Sequence, residues 1–399
     1  MSNEYQEYYW VTRRALKQQF ASLFINVVGG FGSSVFLGAY RLFLTEHPWL
    51  MAINPLLRAL NGNVFSSLLA RINSGLHLGT IKPVLRDRNV LANILVVLST
   101  ILMTSISMII ILSLVLGSDL LLMIEVIIPA KLIVVSLLFP FTTYFSIETF
   151  KRGLDPESLI LPVILLLGDI ISNPITITYA QFLLGLQEYL RHVFLIIALV
   201  LVSIVIIGCF MVRTEKTLRI MGESQAILFL CALLDLGAGI LYASHIEFMA
   251  TIPYVILTVT VFNAIAGSLA SIYASRQNVM LHLGLTSHKP SREKLSYLPY
   301  MMLLMIYSSI LIFGIGIILS YIITGGPGVS AYICLTITLI SAIIITPVLW
   351  GLIQLFSYLS FRIGFDPDNV MTPILTSVID FIGAVIYLGI SFFIVNSFV

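Results

Sequence analysis

Apolar runs of about 20 residues recur from one end of this sequence to the other, and that recurrence leaves few folds open. A helix rises 1.5 Å per residue, so roughly 20 residues cross the ~30 Å hydrocarbon core of a bilayer. The 399 residues are 59% hydrophobic and only 10% charged, whereas an ordinary soluble protein carries about 25% charged residues. Long runs, rather than short alternating ones, exclude a β-barrel. The expectation is an all-α polytopic membrane protein with about 11 transmembrane helices. They fall near 19–43, 50–70, 90–116, 120–147, 159–182, 193–212, 225–244, 251–274, 298–323, 330–358 and 372–396.

Charge placement orients the chain. Seventeen of the 21 Lys and Arg residues fall on one side of these spans; Arg41 and Arg191 lie near the other, and Arg58 and Lys131 lie within spans. The positive-inside rule then places the N-terminus in the cytoplasm and the C-terminus outside. The cell (plasma) membrane is the expected location. Residues 1–18 lack the short apolar core and cleavage site of a signal peptide and read as a cytoplasmic N-terminal segment. Cys209, Cys231 and Cys334 all lie inside apolar runs, so neither a disulfide framework nor a CxxC metal pattern is present. No nucleic-acid partner is expected; the lipid bilayer is one.

The sequence repeats itself. "RINSGLHLG" (Arg71–Gly79) matches "RQNVMLHLG" (Arg276–Gly284) at six of nine positions, and "GLDPESLILP" (Gly153–Pro162) matches "GFDPDNVMTP" (Gly364–Pro373) at Gly, Asp, Pro and the later Pro. In both copies a second Asp follows the first by 14 residues: Asp155 to Asp169, and Asp366 to Asp380. The domains read as a first five-helix repeat (19–185), a linking transmembrane helix and loop (186–224) and a second five-helix repeat (225–399). An odd linking span makes the two repeats parallel, related by a pseudo-two-fold axis along the membrane normal.

Asp169 and Asp380 are therefore twins at equal depth. Asp-Pro at 155–156 and 366–367 reads as a helix start, Asp capping and Pro at the first helical position. At 1.5 Å per residue Asp169 lies roughly 20 Å up that helix, near the bilayer midplane. A charge there costs about 2.5–3.5 kcal/mol on insertion scales, and such residues face a bundle interior or a hydrated path. Two converging carboxylates repel unless protonated or bridged by a cation. Oxygen-only ligation favours a hard ion. Mg²⁺, which dehydrates reluctantly, is often held by one or two carboxylates through a retained water shell. The blander reading has each Asp merely bonded to a neighbouring Ser or Thr.

Other polar positions follow. Thr376 and Thr372 precede Asp380 by four and eight residues, on its helix face; they can line a hydrated path or equally glue helices together. "NGN" (Asn61, Gly62, Asn63) interrupts the second span, and its counterpart reads "AGS" (Ala266, Gly267, Ser268). The glycines serve close packing or a locally opened backbone. Asp235, with Asn26 as its approximate counterpart, can hold a proton or a coupling ion, or be a buried hydrogen-bonded acid. Glu125, six residues from Lys131, can pair with it.

With these residues quoted, the chain resembles the MgtE family of magnesium transporters, and especially its two-repeat relatives among the eukaryotic solute carriers and in archaea. The resemblance rests on "PLLRALNGNVFSSLLAR" (Pro55–Arg71), "AGSLASIYASR" (Ala266–Arg276), "GLDPESLILPVILLLGD" (Gly153–Asp169) and "GFDPDNVMTPILTSVID" (Gly364–Asp380). It implies five-helix units around a two-fold axis, a central cation pore and binding of hydrated Mg²⁺ at Asp169 and Asp380. One chain holding both repeats can then work as a monomer. The resemblance does not extend to the cytoplasmic magnesium-sensing domains of bacterial members, so gating by that route is not expected. The absent amides of "AGS" put a ligand role for Ser268 in doubt.

The expected function is magnesium, or divalent cation, transport through a pore. The alternative within transport is an exchanger coupling Mg²⁺ to Na⁺ or H⁺, with Asp235 involved. From another class, two intramembrane aspartates can form the acid and base of an intramembrane aspartyl protease. That motif wants Gly-x-Gly-Asp, whereas Leu166–Asp169 reads "LLGD" and Val378–Asp380 reads "VID". Enzyme activity is not expected.

Overall fold

The structure is a computed structural model that describes residues 13–85, 87–153, 156–211, 215–282, 295, 297–363 and 372–398. Within them the chain is all-helical, without strands. Thirteen helices follow in order: α1 (Arg13–Ala39), α2 (Arg41–Glu46), α3 (Pro48–His77), α4 (Arg88–Leu116), α5 (Leu120–Lys151), α6 (Pro156–Leu184), α7 (Glu188–Met211), α8 (Glu215–Ser244), α9 (Ile246–Thr251), α10 (Pro253–His282), α11 (Leu298–Thr324), α12 (Ala331–Ile363) and α13 (Thr372–Phe398). Nine of them are long and apolar enough to cross a membrane: α1, α4, α5, α7, α8 and α10 to α13. Helix α3 lies outside that set. The middle of α3 is made polar by Asn54, Arg58, Asn61 and Asn63.

Local chemistry sets the helix ends. Proline begins α3, α6 and α10, where its missing N–H leaves no intrahelical bond unmade. Asp87 and Asp119 cap α4 and α5, their carboxylates accepting from the backbone N–H of Asn89 at 2.7 Å and of Leu121 at 2.9 Å. The sequence duplication is visible in the helices themselves. The short α2 and the long α3 begin 205 positions before α9 and α10, and α3 and α10 both run for 30 residues.

The helices form two compact units, cut differently from the two copies of the sequence. One unit comprises residues 1–48 with 241–399; the other comprises residues 49–240. Helix α1 packs on α10 and α11 in the unit of residues 1–48 with 241–399, whereas nearly all of α8 belongs to the unit of residues 49–240.

In the unit of residues 49–240, an apolar core joins Leu60, Val64 and Leu68 of α3, Val97 and Ile101 of α4, Val134 and Leu138 of α5, Ile164 of α6 and Leu228 of α8. Gly239 of α8 lies so close to α3 that a Cβ there would run into the carbonyl oxygen of Ala52. This is the small-residue contact by which helices approach closely where lipid is as apolar as their side chains. Helix α7 packs on α4 and α5 and leaves Ile196, Ile197, Val200, Ile204 and Ile207 exposed, a surface suited to lipid.

In the other unit α10 is the most enclosed of the nine candidate spans, with α1, α11, α12 and α13 packed against it. Gly30 of α1 meets Val261 of α10, repeating the α8–α3 arrangement. Tyr254, Thr258, Phe262 and Tyr387 are buried there, and Tyr387 and Thr258 share a hydrogen bond of 2.6 Å between α13 and α10. Cys231 and Cys334 are buried free thiols. Asp155 and Asp366 lie outside the described residues.

Candidate functional site

Helix α3 carries Asn54, Arg58 and Asn61 at i, i+4 and i+7, one face of the helix. Helix α6 carries Asp169 and Asn173 four residues apart. The two faces meet in antiparallel order. Asn54 Nδ2 donates to Asn173 Oδ1, and one turn away Arg58 grips Asp169 with two bonds, Nε to Oδ1 at 3.2 Å and Nη2 to Oδ2 at 3.0 Å. Paired geometry of this kind fits the planar guanidinium to the planar carboxylate and is among the stronger polar contacts in proteins. The Arg58 side chain is 11% exposed and that of Asp169 is 32% exposed, so the carboxylate keeps an open flank.

A second buried cation reinforces α3. Lys131 of α5, 2% exposed, donates to the Leu57 carbonyl at 3.0 Å and to Asn61 Oδ1. The expected Glu125–Lys131 pair is therefore corrected. Glu125 accepts instead from His192 Nδ1 at 2.7 Å and lies 3.8 Å from Arg191 Nε, both on α7. Six residues is only about 1.7 helical turns, so on one helix those two side chains point roughly 120° apart. Replacing Lys131 with Met would strand the Asn61 carbonyl and remove a bond between α5 and α3. We expect a loss of about 1–3 kcal/mol, read as a lower unfolding midpoint in detergent.

The equivalent place in the other unit is built differently. Asn263 of α10 stands 205 positions after Arg58, the displacement that relates Arg71 to Arg276. It too reaches the helix of the matching aspartate, but its Nδ2 donates to the backbone carbonyl of Asp380 at 3.0 Å and to Tyr242 Oη at 2.6 Å. At corresponding positions Asn54 becomes Val259, Asn61 becomes Ala266, Lys131 becomes Ala342 and Asn173 becomes Ala384. Buried cations beside the aspartate helix thus belong to the first copy alone among these matched positions.

The remaining sequence candidates fall as follows. Both Gly-containing segments lie in unbroken helix, so the backbone is not opened at Gly62 or Gly267. Gly267 faces Thr376, whose γ-methyl would lie 3.9 Å from a Cβ at that position. The Thr376 hydroxyl bonds back to the Pro373 carbonyl at 2.9 Å. Thr372 opens α13, its side chain being outside the described residues. Ser268 accepts from Asn26 Nδ2 at 3.3 Å, joining α10 to α1. Asn63 and Gly62 are partly buried and Asp235 is 1% exposed. Sequence reasoning missed the partner of Asp169, although an arginine inside a span was the available signal.

Against this geometry, the family comparison is informative twice over. A family model, MgtE, described as divalent cation transporter, matches residues 54–179 and again residues 259–390. The chain belongs to the MgtE family. The two matches are displaced by the same 205 and 211 positions as the motifs, so each copy is an MgtE unit in itself. Divalent cation transport across a membrane is the activity of the family, and the candidate spans agree with it. A search of curated proteins and a search of solved structures each returned no match. Within MgtE terms, Asp169 and Asp380 lie one in each matched region, as do Arg58 and Asn263.

Proposed function

We propose that this MgtE chain conducts Mg²⁺, largely hydrated, along a pore in which Asp169 and Asp380 bind the ion. The observation that supports it is the recurrence of an aspartate at the same place in each of the two family matches, inside helices that are otherwise apolar. A carboxylate accepts hydrogen bonds from the water shell and offsets the ion's charge, the device by which acidic rings admit cations. In this reading α3 and α6 cross the membrane with the other nine, their charges cancelled by the Arg58–Asp169 pair, giving eleven spans. Two parallel repeats in one chain suffice for a monomer, with the N-terminus cytoplasmic and the protein in the plasma membrane.

The test is Mg²⁺ entry into liposomes containing the purified protein and an internal Mg²⁺-sensitive dye. A pore gives uptake driven by the Mg²⁺ gradient and membrane potential, unchanged when Na⁺ and H⁺ gradients are removed. Uptake that stops without one of those gradients would replace the pore with a coupled exchanger, for which Asp235 is the acid to mutate first. Competition by Ca²⁺ and Mn²⁺ in the same assay measures selectivity. A hydrated site discriminates by hydrated size, so we expect Ca²⁺ to block Mg²⁺ uptake weakly.

A further inference from the structure

The matched residues Arg58 and Asn263 meet the two aspartates in different ways. Both α3 and α10 send a side chain to the aspartate helix from matched positions. In the first copy that side chain is a guanidinium bonded twice to the carboxylate. In the second it is a neutral amide bonded to the backbone carbonyl of the aspartate. We infer that Arg58 is a tethered counter-cation that occupies the Asp169 carboxylate between passages of the transported ion and so lowers the affinity of that carboxylate for the ion. This rests on the reading of Asp169 as an ion ligand and adds to it the group against which the ion competes.

The physical basis is charge and geometry. A bidentate guanidinium uses both carboxylate oxygens, so an arriving hydrated cation meets a carboxylate already neutralised. The open flank of Asp169, 32% exposed, permits approach. Arg58 also keeps a carboxylate within an apolar helix from lying uncompensated in the empty protein, a state that is costly in lipid. Asn263 cannot do this for Asp380, because an amide carries no charge.

The experiment titrates Mg²⁺ calorimetrically into the full chain in lipid nanodiscs, using wild type, Arg58→Asn, Arg58→Lys, Asp169→Asn and Arg58→Asn with Asp169→Asn. Arg58→Asn installs the residue that the second copy carries. It should bind Mg²⁺ more tightly by about tenfold or more, the scale of a lost charge-assisted bond, and the gain should vanish when Asp169 is also Asn. Arg58→Lys keeps the charge but loses the two-bond fit, so it should show a smaller gain. If Arg58→Asn does not fold, Arg58→Lys carries the test, and unchanged affinity there overturns the proposal. Folded Arg58→Asn that binds no more tightly, or gains without needing Asp169, overturns it as well. Failure of the underlying reading looks different: Asp169→Asn would then bind and transport Mg²⁺ as wild type does.

Discussion

Liposomes carrying Asp169→Asn together with Asp380→Asn take up Mg²⁺ no faster than protein-free liposomes. The substitution keeps side-chain size and removes only the negative charge. A hydrated divalent ion crossing a region of low dielectric then has neutral amides where it had two carboxylates. Bonds to a charged group contribute about 1.5–3 kcal/mol each, so losing both lowers site occupancy on the order of a hundredfold or more. The single mutants should differ. Asp380→Asn removes the carboxylate of a residue whose backbone carbonyl accepts from Asn263, and we expect it to act through lower uptake per folded molecule. Asp169→Asn also removes the carboxylate that Arg58 holds; the pair is only part-buried, so the cost falls below the about 3–5 kcal/mol of a fully buried one. Its first effect should be a lower yield of folded protein, rescued by adding Arg58→Gln. Dye-reported uptake normalised to monodisperse protein separates the two effects. Uptake that survives in the double mutant would remove both aspartates from the transport path.

Gly239→Leu yields no monodisperse protein, whereas Gly314→Ala behaves as wild type. The contrast is steric. At Gly239 the obstacle is the backbone carbonyl of Ala52, which cannot turn aside as a flexible side chain can. Overpacking a core typically costs about 1–3 kcal/mol and occasionally more; a side chain driven into another helix's backbone belongs at the upper end. It also separates α8 from α3, and α3 carries Arg58. At Gly314 a Cβ meets nothing within 4 Å, and Ala favours the helix by roughly 1 kcal/mol. Size-exclusion profiles of the two variants, purified identically, decide the matter. A well-folded Gly239→Leu would mean that α8 and α3 do not approach as described.

Much of this fold was legible before any coordinates, because lipid imposes strong rules on composition. The apolar run lengths anticipated the long helices, and Pro156 was read correctly as the first residue of α6. The repeated Asp spacing pointed to the same two copies that the family model finds. What could not be read was which helices touch. Arg58 and Asp169 are 111 positions apart, and Asp235 was another acid within a span, so the cost of an unpaired arginine did not choose between partners. The Glu125–Lys131 expectation failed for a related reason. Sequence proximity on a helix is not proximity of side chains, and both residues found partners on other helices. The difference between Arg58 and Asn263 was present in the aligned copies, but it acquired meaning only once both side chains were seen to reach the aspartate helix.

The packing of α1 with α10 and α11 has a consequence for how such a chain can be divided. Each compact unit carries at least one long helix from outside its own family match, α1 in one and α8 in the other. A gene for one match alone would leave that place to be filled by a further helix, from the same molecule or from a second one. Fusing two such genes puts every such helix on one chain. Once fused, the copies are free to diverge, since a change in one is no longer imposed on both sides of the assembly. An arginine in one half and an asparagine in the other is a difference that identical subunits encoded by a single gene could not carry.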